Sequence, residues 1–349
     1  MVNKRMGWTI NPDRKQNRAT VLLLLFIGGV LLLILCLMMS LKIGPAAIGW
    51  RTIFDAVFKP GGASKEELYI RTLRLPRTVV SALVGAQLAL AGLLTQLATK
   101  NPLASPHVFG INAGASLAVV SGLLFLPAAG LLSSVGLAFT GAVLGALVIW
   151  FLAGSGPKLY VTLALAGISV HFLFASLTEG AMILASYSTE SMISWLVGSV
   201  NHASWQDVRL LAPLLGGGLA LLLCLLPALR LLELDDEVAV GLGSRLYAIR
   251  ALSMLLVVLF AGSAVAICGP IGFVCLIVPH IARALLGRGS SLNVVVPFTA
   301  LLGSVLLLAA DVLSRWIAFP FESPVGIVTA LVGAPAFLYL ARRQGGKTR

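Results

Sequence analysis

Between Thr20 and Leu41 the chain runs for 22 residues without a charged side chain, and apolar stretches of similar character recur as far as the C-terminus. About 20 such residues cross the hydrocarbon core of a bilayer as a helix. A water-soluble fold has no interior that could bury so many of them. Hydrophobicity and loop breakers place ten spans, near 20–41, 78–98, 107–126, 129–153, 160–187, 208–228, 248–268, 272–287, 292–315 and 325–342. The stretch from Gly269 to Gly272 reads as a bend between two of them. Composition agrees: 11% of residues are charged and 58% hydrophobic, whereas a soluble domain carries roughly a quarter charged residues. The fold class is therefore all-α, a polytopic membrane protein with about ten transmembrane helices. The first run lacks a small-residue cleavage site and outlasts a signal-peptide core, so it reads as an uncleaved span. The bundle occupies 20–342, between tails at 1–19 and 343–349, with one long connector at about 229–248.

The basic residues orient this bundle. With the N-terminus inside, 16 of the 25 Lys and Arg fall in cytoplasmic segments and 9 outside, which obeys the positive-inside rule and makes both tails cytoplasmic. Seven of those nine lie between residues 42 and 78, a concentration that topology alone does not explain. The net charge of +12 is scattered over loops without interleaved aromatics, so no nucleic-acid partner is expected. Cys36, Cys224, Cys268 and Cys275 all sit in apolar stretches, which is neither a disulfide framework nor zinc spacing.

No enzyme is legible. His107, His171, His202 and His280 are dispersed, and Glu179 and Asp311 have no acidic partner nearby in sequence, so no acid, base, nucleophile or metal ligands converge. No cofactor and no metal are expected. Gly346-Lys347-Thr348 imitates the end of a phosphate-binding loop, but Ala341 stands where its first glycine belongs, and neither strand nor following helix is available. Asp311 and Arg315, four apart on a helix, suit a local ion pair. Glu179 must face a cavity, a partner helix or water, because lipid would be a costly surrounding. Gly85, Ala89 and Gly92, Gly110 and Gly114, and Gly141 and Gly145 are spaced for close helix contact and are given no ligand role.

Two segments carry more. Arg74-Leu75-Pro76-Arg77 precedes the second span, with proline suited to a helix's first turn and two arginines three apart on nearly one face. Such a pair either snorkels at the interface or grips carboxylates of an external acidic partner. The other segment, from Arg230 to Arg250, has an acidic cluster of Glu233, Asp235, Asp236 and Glu237, then Val238-Ala239-Val240 and Gly241-Leu242-Gly243. It reads as a short amphipathic helix, a glycine turn and a second helix at the inner face. That is either an ordinary interfacial helix or a docking lever for a cytoplasmic machine.

The stretch RLPRTVVSALVGAQLALAGLLTQLATKNPLASPHVFGINAGAS at 74–116, GPIGFVCLIVPHIAR at 269–283, Asp311 to Arg315, and SPVGIVTALVGAPAFLYL at 323–340 together resemble the integral membrane permeases of iron-siderophore, haem and cobalamin ABC importers. The matches come in the family's order over nearly the whole chain. The resemblance implies a type II importer permease in the cytoplasmic (inner) membrane. It would work beside a second permease, identical or paralogous, with two copies of a cytoplasmic ABC ATPase and an extracytoplasmic substrate-binding protein. It further implies that Arg74, Arg77 and Arg315 dock the binding protein. By the same resemblance Leu231 to Leu246 form the coupling helices, with ATPase contact at Glu233, Leu234, Asp235, Asp236, Glu237, Ala239, Gly241, Leu242 and Gly243. Asn101, Pro102, Pro279 and His280 are expected to end helices and shape a gate at the inner face. Reversing Arg74 and Arg77 is expected to abolish docking while the bundle stays folded. Cys275 and Ser323 stand where the family often has glycine and leucine, which bears on local packing. A ferric siderophore is the substrate the family implies first, with haem and cobalamin as alternatives. An ion-driven secondary transporter and a structural scaffold remain as readings from other classes.

Overall fold

The computed structural model describes residues 12–46, 48–59, 64–125, 131–154, 159–184, 193, 195–287, 289–319 and 321–345. Helices α1 (Pro12–Lys42), α2 (Trp50–Phe58), α3 (Lys65–Tyr69), α4 (Leu75–Thr99), α5 (Ile111–Phe125), α6 (Leu131–Ala153) and α7 (Leu159–Leu184) form the first half. The second holds α8 (Trp205–Leu229), α9 (Asp236–Gly241), α10 (Leu246–Val257), α11 (Ser263–Cys268), α12 (Val274–Leu286), α13 (Leu292–Ile317) and α14 (Val325–Gly345). No strand occurs among the described residues.

Among the described residues, seven helical stretches are long and apolar enough to cross a membrane, and there are three shorter apolar helices, Ile111–Phe125, Val274–Leu286 and Val325–Tyr339. Their positions are those of the ten expected spans. One span is built from two α-helices, because a widened π-helical turn at Val258–Gly262 joins α10 to α11. The first helix begins at Pro12, so helix already occupies part of the expected N-terminal tail. Residues 1–11 and the Gly346-Lys347-Thr348 motif lie outside the described residues.

Among these spans α4 is the most buried and α1 the least. Every residue of α4 from Val84 to Ala98 is buried, which marks a central helix rather than a lipid-facing one. It packs most extensively on α13 and also meets α8, α10 and α12. The small residues permit this. A Cβ on Gly85 would run into the backbone of Gly303 on α13, and one on Gly92 into the carbonyl of Cys275 on α12. Gly114 meets Gly141 in the same way, joining α5 to α6. Van der Waals contact is what holds helices together where lipid is as apolar as they are, and it requires this closeness.

The expected bend is present. Gly269 ends α11 with φ +69°, and Phe273 takes φ +67° before α12 starts. The Ser199 amide donates to the Cys268 carbonyl, and the Gly326 amide to the Gly198 carbonyl, so three chain breaks support one another there. Pro279 corrects an expectation: it lies buried inside α12, which continues to Leu286, and does not end a helix. A proline within a span is tolerated when surrounding helices re-satisfy the freed backbone. Asn101 and Pro102 do follow the end of α4, with the Asn101 side chain accepting from the Leu103 amide at 2.9 Å. His280 is partly buried on α12.

Candidate functional site: two ionic clusters on one helix

The two ends of α4 each hold an ionic cluster. At the arginine end, the turn from Ile70 to Arg74 is a π-helical widening that leads into α4, with Pro76 in its first turn. A widened turn can absorb a residue that has no N–H to give. It leaves Arg74 and Arg77 aimed into protein. Arg74 is 4% exposed, Arg77 5% and Arg315 3%, so these side chains neither snorkel nor stand free as an external fork.

Each guanidinium has internal work. Arg74 donates to the carbonyls of Leu41 at 2.7 Å and Ala46 at 2.6 Å. Arg315 donates to the carbonyls of Ser40 and Ile43, both at 2.8 Å. The last carbonyls of a helix have no partner within it, and α1 ends here, so two arginines from elsewhere in the chain satisfy it. Arg71 serves α2 likewise, donating to the Ala56 carbonyl at 2.7 Å and to that of Lys59. The cluster of basic residues between 42 and 78 therefore belongs in good part to helix ends. A Cβ at Gly44 would fall 2.7 Å from Arg74 Nη2, so the bare glycine leaves room for the guanidinium where it now lies.

Asp311 joins the rest. Its Oδ2 pairs with Arg315 at 2.7 Å, the expected pair across one helical turn. Its Oδ1 accepts from Nη2 and Nε of Arg77 at 2.8 and 3.0 Å. Arg77 Nη1 reaches Glu322 at 2.6 Å. Asp311 is fully enclosed, whereas the Glu322 side chain is 32% exposed. Sequence reasoning missed Glu322 and Ser40, whose hydroxyl accepts from Arg315 and bonds Thr78. Their only signal was a polar side chain beside a span end.

The other end carries the expected connector. Arg230–Glu233 form a 3-10 turn and Asp236–Gly241 the short helix α9, with Asp236 and Glu237 in its first turn, where carboxylates suit the helix dipole. Gly243 follows at φ +79°, its amide donating to Val240 and the Ser244 amide to Ala239. That pairing is the Schellman C-cap, and glycine supplies the left-handed residue it needs. The expected second helix is not separate but the start of α10.

Ala239 is buried, while Leu234, Val238, Val240, Leu242 and Tyr247 are exposed, as are Glu233, Asp235, Glu237, Gly241 and Gly243. Asp236 is held from two sides, by Lys100 at 2.6 Å and by Arg250 at 2.7 Å. Lys100 also donates to the Leu234 carbonyl. Lys100 was not singled out from the sequence, since a lysine after a helix is unremarkable there.

With both clusters in view, the comparisons assign the class. The FecCD transport family matches residues 31–343, and the chain belongs to that family. It is 46% identical over 328 residues to the Fe(3+)-citrate import system permease protein YfmD of Bacillus subtilis, covering 94% of this chain and 97% of that one. It is 42% identical over 284 residues to the Fe(3+) dicitrate transport system permease protein FecC of Escherichia coli, covering 80% and 84%. A solved inward-facing structure assigned to the metal-chelate type of ABC transporter superposes with a TM-score of 0.79 at 27% identity, over 93% of this chain and 99% of the other.

Proposed function

We propose that this chain is the permease subunit of an ATP-driven importer carrying an iron(III) chelate of the siderophore or citrate class across the cytoplasmic membrane. Membership of the FecCD family and the iron-citrate names of two relatives support the substrate class. The Asp236 end faces the cytoplasm, in keeping with the excess of basic residues in its segments, and both termini lie on that side. A partner ATPase supplies hydrolysis, two copies serve a pair of permeases, and a binding protein delivers the chelate at the arginine end.

The observation that carries this reading is the set of exposed apolar side chains Leu234, Val238, Val240 and Leu242 on a segment anchored by ion pairs and a C-cap. Apolar side chains held rigidly at a polar end of a membrane bundle mark a protein contact. This segment is the ATPase seat. Leu242→Asp places a charge on its most exposed apolar residue and leaves the bundle untouched, since Leu242 is 69% exposed. The variant is expected to reach the membrane normally, lose the co-purifying ATPase and stop importing ferric citrate. ATPase retained at wild-type stoichiometry would refute the seat.

At the arginine end, docking proceeds by exchange. A carboxylate of the binding protein takes the place of Glu322 on Arg77, whose other partner Asp311 stays enclosed. Arg74 and Arg315 hold the end of α1 and shape the surface rather than reach out from it.

A further inference from the structure

We propose that the Lys100–Asp236 ion pair is the joint through which movement of the α9 segment is passed to α4, and that Lys100 is a positioning residue for coupling. The inference rests on the proposed ATPase seat and adds to it the route away from that seat.

Three observations meet at this pair. The first is connectivity. Asp236 opens α9, and one of its partners, Lys100, directly follows the last residue of α4. Lys100 Nζ also takes the Leu234 carbonyl, so a single ammonium grips the segment through side chain and backbone on both sides of Asp235. The second is backbone. Lys100 is one of two non-glycine residues with positive φ among the described residues, at φ 51°. A side chain in that region is held at some cost by its surroundings, and such outliers gather where function needs the geometry. Here the left-handed turn ends α4 and sends the lysine across to the segment.

The third observation is the character of α4. It is the most buried span, and its far end carries Arg77, which pairs with the buried carboxylate Asp311 of α13. Packed on α13, α12, α10 and α8, it moves as a unit or not at all. A displacement delivered at Lys100 therefore arrives at the Arg77 cluster, where Glu322 is held. Arg250 on α10 is the second partner of Asp236 and steadies the carboxylate between the two helices.

The test uses the transporter assembled with its ATPase in lipid nanodiscs. Lys100→Asn suits the left-handed backbone and removes the charge; Lys100→Arg keeps the charge. Amide hydrogen exchange with and without ATP is followed at 230–246 and at 70–77, with ATPase content and basal hydrolysis measured in parallel. In wild type, ATP is expected to alter exchange at both places. Lys100→Asn should keep the ATPase, its basal rate and the response at 230–246, lose the response at 70–77, and lower ferric citrate taken up per ATP by about tenfold. Lys100→Arg should restore both. A wild-type response at 70–77 in Lys100→Asn overturns the joint, and so does a Lys100→Arg variant as defective as Lys100→Asn. A wild-type chain that captures no ATPase overturns the underlying seat and the joint with it.

Discussion

A buried charge is stable only while its partners hold it, and Arg77 shows what that means for one residue. Its guanidinium is shared between an enclosed carboxylate and a partly open one. Reversing it would crowd three carboxylates into one site with Arg315 as the nearest base. Removing one partner of a buried pair costs about 3–5 kcal/mol, so Arg77→Glu is expected to lower the thermal midpoint sharply. The bundle would not stay intact as the sequence alone suggests. Glu322→Gln is the informative variant, because it removes the charge that holds Nη1 of Arg77 and leaves Asp311 in place. Titration of the cognate binding protein onto the purified permease should then show tighter docking than wild type; equal or weaker docking refutes the exchange. The RLPR spacing and the Asp311–Arg315 pair were legible, because both are local. The bond between Arg77 and Asp311 joins residues 234 positions apart, and neither hydropathy nor spacing reports such a contact. Nor could the sequence mark Lys100, since no glycine or asparagine announced the left-handed turn.

At the scale of the element, span positions were readable because a bilayer imposes one length on every crossing helix. What lies within a span was less readable. Pro279 breaks the propensity rule but not α12, since neighbouring helices enclose it, and the π-helical turns at 70–74 and 258–262 leave no mark on hydropathy. The glycine faces were readable, and Gly92 is the sharpest case. A side chain there would enter the Cys275 backbone, which no rotamer change can avoid. Gly92→Val is therefore expected to push α12 from α4 and cost at least the ~1–3 kcal/mol typical of overpacking. Thermal unfolding in detergent measures this directly. Gly28, with open space around it, supplies the control: Gly28→Val should leave the midpoint near wild type.

For the whole molecule, the question is what covers α7. Leu165, Ile168, Phe172 and Ile183 are exposed on it together with Glu179, and the carboxylate settles which surroundings are tolerable. Phe172 and Glu179, seven residues apart, lie close to one face of the helix. A glutamate turned to hydrocarbon would carry a cost of several kcal/mol unless it reached water or a partner. The same face presents apolar side chains that water would not stabilise. A face of both kinds fits a surface shared between a hydrated path and the second permease of the importer proposed above. In a chain with Cys36 and Cys224 replaced by serine, Phe172→Cys should react readily with a membrane-permeant maleimide when the chain is alone. Assembly with the second permease should slow that reaction markedly, while a cysteine at Leu23 of α1, also exposed, should keep one rate in both states. Equal protection at the two positions would mean that α7 faces lipid, as α1 does, and that the second permease sits elsewhere.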